Sequence, residues 1–246
     1  MDIYQKKAIN DMRFWQNKMQ KPPSISSKAT KGLQIRINRM IPEKMHQLIT
    51  KAVKGMTRTV LFGAEITSST NGSKLNFQET EFEVINKINF YRSSAATEGA
   101  ITGFGGFVSG LIDFPLWMSL KIKMLFEIAN LYGYNTNDFK ERIFILYIFE
   151  ITFSSQENRN ILIDKISNWN LEEEQISDNI DDFDWRNFQI EYRDHLDMAK
   201  LMQLIPGLGA IVGAYINHKY TKKLGQFAMN AYRMRKLIDI NKIAIT

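Results

Sequence analysis

Residues 98–120 read E-G-A-I-T-G-F-G-G-F-V-S-G-L-I-D-F-P-L-W-M-S-L, and no charge interrupts the run from Gly99 to Ile112. Gly99, Gly103, Gly106 and Gly110 recur at spacings of four, three and four, which lines them along one face of a helix. Each glycine costs a helix about 1 kcal/mol against alanine, so the stripe suits a place where another backbone comes close. Ile101, Phe104, Val108 and Leu111 carry the opposite side. Asp113 has the side chain of an N-cap and Pro115 fits a first turn. The pattern predicts a helix, a corner at Asp-Phe-Pro, and a second helix. A similar segment, I-P-G-L-G-A-I-V-G-A-Y-I-N, occupies 205–217, with Pro206-Gly207 as a turn and Gly209 and Gly213 four apart. Two helices with small-residue faces are natural partners for a close crossing, in a core or in lipid.

Working outward, residues 3–20 place Ile9, Met12, Trp15 and Met19 on a stripe among Lys and Gln, ended by Lys21-Pro22-Pro23. This predicts an amphipathic helix that lies on a membrane or docks on its own domain. Met45, Leu48, Ile49, Ala52, Val53, Met56 and Val60 keep helical spacing, and Ser68–Lys74 is a loop. Phe82, Ile85, Ile88 (or Asn89) and Arg92 continue a helix into the glycine stripe. Beyond the corner, Leu116, Leu120, Met124, Ile128 and Leu131 carry a helix to Gly133, a fitting C-cap residue. The next helix starts at Asn135–Asp138 and runs through Phe144, Tyr147, Ile148 and Ile151. Ser154–Asn160 reads as a turn before a short helix, and a further helix is expected from Trp185 to Gln203. A last helix, Asn217 to about Ile240, turns Leu224, Phe227, Ala228, Ala231 and Leu237 inward. No alternating strand pattern occurs. The expected fold is all-α: an N-terminal amphipathic helix (1–23), then a single multi-helix domain (24–246) with glycine-rich helices packed closely in the core.

The chain has 246 residues, enough for a substantial core, and no cysteine, which excludes disulfides and thiolate metal sites. The N-terminus lacks the apolar run of a signal peptide. No window holds eighteen uninterrupted apolar residues; the 99–112 segment would reach only about 21 Å, short of a roughly 30 Å hydrocarbon layer. These features point to the cytosol. The net charge of +6 is unevenly spread: +10 on residues 1–58, −3 on 59–156, −8 on 157–199 and +7 on 200–246. Two basic ends suit an anionic membrane or a nucleic acid, but no recognisable nucleic-acid-binding module is present.

Signatures of catalysis are thin. Gly207, Gly209 and Gly213 lack the preceding strand and following acid of a dinucleotide loop. His46, His195 and His218 are scattered, and Glu191 with His195 lacks the further ligands of a di-metal bundle site, so neither cofactor nor metal is expected. Glu98 and Asp113 bracket the uncharged helix. As a pair in a polar crevice they would suit a hydrolase, although fifteen residues of helix would separate them by about 22 Å. Helix-end roles account for both more simply. Lys121, Lys123, Arg142, Arg233 and Arg235 are the basic residues considered as their partners.

The run from Thr97 to Leu116, the following I-A-N-L-Y-G-Y at 128–134, the 205–217 segment, Ala228 and R-M-R at 233–235 resemble the EcsC protein family. The resemblance spans about residues 78–240. It maps the family pattern onto Glu98, Gly99, Gly103, Asp113, Pro115, Tyr132, Gly133, Pro206, Gly209, Gly213, Asn217 and Arg235. Lys121 and Lys123 stand where members often have Arg after the Asp-x-Pro corner. The resemblance implies a bacterial intracellular protein, often encoded beside an ABC transporter, with no established enzymatic activity.

The functional expectation is a non-enzymatic accessory factor at the cytoplasmic membrane face, binding lipid or a membrane protein such as an ABC transporter. A groove for the ligand would draw on Glu98, Gly99, Gly103, Gly106, Asp113, Pro115, Gly209, Gly213, Asn217 and Arg235. The membrane-facing surface would comprise Lys6, Lys7, Arg13, Phe14, Trp15 and Lys18, with Lys219, Lys222 and Lys223.

Overall fold

A computed structural model describes residues 2–22, 55, 60, 75–104, 114–154, 156–176 and 209–243. Seven helices are bounded among them: α1 (Ile3–Met19), α2 (Phe77–Phe104), α3 (Phe114–Leu131), α4 (Phe139–Phe153), α5 (Gln156–Ser167), α6 (Trp169–Gln175) and α7 (Gly209–Ile243). The described residues contain no strand, and the fold is all-α. The Met45–Val53 stripe, the Ser68–Lys74 loop, the Trp185–Gln203 segment, Gly106, Asp113 and Pro206 lie outside the described residues.

Local chemistry sets the helix ends. Asp2 caps α1 by accepting from the Gln5 N–H at 2.7 Å, and the Gln5 side chain returns a bond to the Asp2 N–H, the reciprocal pattern of a capping box. Gly133 terminates α3 at φ +86°. The Gly133 N–H bonds to the Asn130 carbonyl and the Tyr134 N–H reaches back to the Ala129 carbonyl, a Schellman closure that favours glycine at the left-handed position. Asp138 then caps α4, accepting from Lys140 N–H at 2.9 Å.

The longest helices, α2 and α7, form the most extensive pairing in the molecule. Glu81 meets Arg233 and Ile88 meets Gly225, so the two run antiparallel. The described close approach is at Gly225, where a Cβ would sit 2.6 Å from Ile88 Cγ1 and 2.9 Å from Cγ2. Sequence spacing had not singled out this glycine.

α4 sits in the middle of the fold. It buries Ile143–Leu146 and Ile148–Phe153, as expected for a helix apolar all round. Against it pack α5, with Leu162, Ile163 and Ile166 buried, and α7, with Leu224, Ala228, Ala231 and Leu237 buried, while Met124, Phe126 and Ile128 of α3 are buried in the same core. The inward set expected for the last helix is therefore found, on a helix that begins at Gly209, earlier than Asn217.

The helix expected through Phe82, Ile85, Ile88 and Arg92 is found as α2, and the turn expected after α4 needs correction. On α2 the buried stripe is Glu81, Val84, Ile88, Tyr91 and Ala95, whereas Phe82 is 61% and Ile85 41% exposed. The stripe is rotated because Glu81 turns inward to a buried arginine. The Ser154–Asn160 turn is shorter than expected, since α5 begins at Gln156. Asn158 donates to both Glu150 Oε1 and Ser154 Oγ at 3.1 Å, which ties the start of α5 to the end of α4.

Candidate functional site

Among the buried or half-buried basic side chains of α7, Arg233, Arg235 and Lys223 differ in their surroundings. Arg233 is buried and faces Glu81 of α2, with Nε to Oε1 at 2.5 Å and Nη2 to Oε2 at 2.8 Å. This is the fork geometry that makes arginine the strong partner of a carboxylate. Glu81 also accepts from Tyr132 Oη at 3.0 Å and from Tyr4 Oη of α1 at 2.9 Å. One fully buried carboxylate thus joins α1, α2, the end of α3 and α7. Burial and the adjacent Glu81 charge push the Tyr4 hydroxyl up to about 12, so it stays a donor. The guanidinium of Arg233 is held charged by Glu81.

Two residues on, Arg235 donates Nη1 to Glu141 Oε2 at 2.6 Å, and Tyr232 Oη donates to Oε1 at 2.6 Å. The Arg235 guanidinium lies 3.9 Å from the Tyr134 ring centroid and 4.5 Å from that of Phe144, within cation–π range. Burial raises the Glu141 carboxyl above its usual range, and Arg235 and Tyr232 pull it partly back. Tyr132 stacks on Tyr232 with centroids 5.5 Å apart, so the two charge pairs share one aromatic wall.

Lys223 is different. Its ammonium donates to the Thr152 carbonyl at the end of α4 and covers the Phe227 ring at 5.2 Å. Phe227 in turn meets Trp15 of α1 edge-on at 5.2 Å. The described groups that act on its charge are cations: Arg159 of α5, Lys18 in the last turn of α1, and Lys219 one turn earlier on α7. Burial first, then these neighbours, lower the Lys223 pKa to about 7. The junction is tied locally, because Gln156 donates to the Met19 carbonyl and accepts from Arg159 at 3.5 Å.

The described residues expected to line the groove lie on three helices. Glu98, Gly99 and Gly103 fall within α2, Pro115 within the first turn of α3, and Gly209 and Gly213 within α7; Gly106 and Asp113 are outside the described residues. Asn217 is buried. Arg235 lines a hollow of about 250 Å3 with Ile166–Leu171. Of the basic partners considered for Glu98 and Asp113, Arg233 and Arg235 are committed to Glu81 and Glu141. Arg142 donates Nε to the Thr136 carbonyl at 2.7 Å, and Lys121 is fully buried.

On the expected membrane surface, Lys6, Lys7, Arg13, Phe14, Lys18, Lys219 and Lys222 are exposed. Trp15 is not: it is 7% exposed and packs into the core with Ala8 and Met19. Lys223 is half-buried, bonded to backbone. Both leave the outward surface because they sit where α1 docks on α7. Sequence periodicity missed Glu81 and Glu141, since a buried acid breaks an apolar stripe; only the arginines two apart on the last helix hinted that acids lay opposite.

Among the described residues, no helix is long and apolar enough to cross a membrane, and no group of three or more His, Asp or Glu side chains is arranged to hold a metal. Residues 6–237 match the family model described as the EcsC protein family. The chain is similar to the protein named EcsC from Bacillus subtilis (strain 168), at 38% identity over 91% of this chain and 92% of the relative. It is also similar to the uncharacterized protein YdbA of the same organism, at 28% identity over 60% of this chain and 55% of that protein. No solved structure matches.

Proposed function

The chain belongs to the EcsC protein family, and we propose that it works without catalysis, as a peripheral factor at the cytoplasmic membrane face. Its ligand is anionic lipid or a membrane protein, an ABC transporter being the partner that the family resemblance suggests. One observation carries this reading: α1 docks on α7 with Trp15 edge-on to Phe227 at 5.2 Å, which brings basic side chains of the first and last helices to one junction. Lys222 lies on the same stretch of α7, and α1 adds Lys6, Lys7 and Arg13 with the outward Ile3 and Phe14, 88% and 74% exposed. Lysines that reach an anionic leaflet contribute about 1 kcal/mol each, and apolar side chains beside them add burial in the interface. The buried acids favour a structural role over acid–base work. Glu81 and Glu141 already receive tyrosine and arginine donors, which leaves neither positioned to exchange a proton with a substrate. No observation favours the hydrolase alternative at Glu98 and Asp113.

Co-sedimentation with phosphatidylcholine vesicles, with and without phosphatidylglycerol, tests the reading. Binding should require the anionic lipid, weaken with salt over the range where a Debye length falls below about 8 Å, and drop on Lys18→Glu with Lys219→Glu. Equal binding to neutral and anionic vesicles would refute it.

A further inference from the structure

We propose that Lys18, Arg159, Lys219 and Lys223 form a binding site for a phosphomonoester dianion, where the end of α1 and the start of α5 meet the middle of α7. The proposal rests on the reading of the basic face above and names the ligand class that this face selects. Three helices bring cations together here, and their junction is fixed by Gln156 on the Met19 carbonyl, Trp15 on Phe227, and Lys223 on the Thr152 carbonyl. The arrangement is not a solvated lysine patch. Lys223 is seated on backbone and on an aromatic ring, and its neighbours on two other helices repel it. An ammonium has three donors, and Thr152 uses one. Trp15, one turn before Lys18, has a buried indole N–H with no acceptor among the described residues.

Repulsion among like charges is a cost that a bound anion removes. Burial first, and this repulsion after it, lower the proton affinity of Lys223 to about 7, and a dianion in reach would raise it again. Four cations suit two negative charges better than one, and guanidinium and ammonium together suit the three terminal oxygens of a phosphomonoester. A phosphodiester offers a single charge and two free oxygens. The shared chemistry has two sources, the headgroup of phosphatidic acid and free phosphate.

The test uses the full chain in three arms: vesicles of phosphatidylcholine with phosphatidic acid, vesicles with phosphatidylglycerol at matched surface charge, and inorganic phosphate in solution followed by calorimetry. Phosphatidic acid should bind about tenfold more tightly than phosphatidylglycerol. Lys223→Met should abolish that preference while leaving phosphatidylglycerol binding within about twofold. Lys223→Arg should retain the preference, and Lys6→Glu with Lys7→Glu should weaken both vesicle types alike. Thermal unfolding of Lys223→Met at or above the native temperature identifies any loss as one of binding. Were Lys223→Met to unfold early, Lys219→Gln, on the outward side of α7, would have to remove the preference instead. If phosphate alone binds, in a Lys223-dependent way, the site stands with a soluble ligand and the membrane reading falls. If both vesicle types bind equally and Lys223→Met weakens them equally, the site is refuted and the basic face survives. No binding in any arm overturns both.

Discussion

The two halves of α7 treat buried positive charge in opposite ways. Toward its C-terminal end, Arg233 and Arg235 each face a buried glutamate, Glu81 and Glu141, with tyrosine hydroxyls completing the carboxylates. Earlier on the same helix, Lys223 is held against a carbonyl and an aromatic ring, and the described groups acting on its charge are Arg159, Lys18 and Lys219. A buried pair with its donors satisfied specifies which helices meet. A half-buried cation surrounded by other cations stabilises nothing by itself, and makes sense where an anion arrives. On the proposal above, the C-terminal half of α7 serves architecture and the N-terminal half serves binding.

The largest effect should come from breaking a pair. Arg233→Ala leaves Glu81 fully buried with only two tyrosine donors, and chemical denaturation should show a loss of roughly 3–5 kcal/mol. Lys223→Met, on the same helix, should be neutral or stabilising, because it removes a half-buried charge on which no described acid acts. A comparable loss in both variants would erase the distinction.

Gly225 separates the two halves and sets how near α2 comes. Adding a methyl there meets the branch carbons of Ile88, which a helix holds in one rotamer. Gly225→Ala should therefore cost roughly 1–3 kcal/mol in spite of alanine's better helix propensity. The same change should lower the melting temperature without altering vesicle binding. Tyr4→Phe, removing one charge-assisted donor from Glu81, should cost about 1–2 kcal/mol and loosen α1 selectively, read as faster amide exchange over residues 3–19.

Much of this architecture is legible in the chain. The Leu224–Leu237 face, the Gly133 stop and the Asp138 start follow from period and capping chemistry, which are local. The phase of α2 is not local. Phe82 and Ile85 look like core by hydrophobicity, yet Glu81 is buried because Arg233, distant in sequence, supplies its counter-charge. The glycine that matters in the described crossing, Gly225, stands alone between Leu224 and Gln226, without the repeat that draws attention to Gly99 and Gly103. The approach of Lys18 to the Lys223 region depends on α1 docking on α7. Charge counts at the two ends allow that approach but do not encode it, because a basic block can face any direction. Trp15 shows the same limit: its stripe allowed either lipid or core, and its packing on Phe227 decided for core.

The central claim, that Lys223 is a half-buried cation with no described acid acting on its charge, is tested most directly by the pH dependence of unfolding, native chain against Lys223→Met. The folded-state pKa of about 7 lies below the ordinary 10.5. Between those values the unfolded chain binds more protons than the folded one, so native stability rises with pH. The cost of the buried charge is fully present below pH 7 and disappears as the pH approaches 10.5. The account predicts that the native chain gains on Lys223→Met by at most about 1.4 kcal/mol per pH unit across that window. Parallel curves from pH 7 to pH 10.5 would mean that Lys223 keeps an ordinary pKa in the folded chain, and would contradict it.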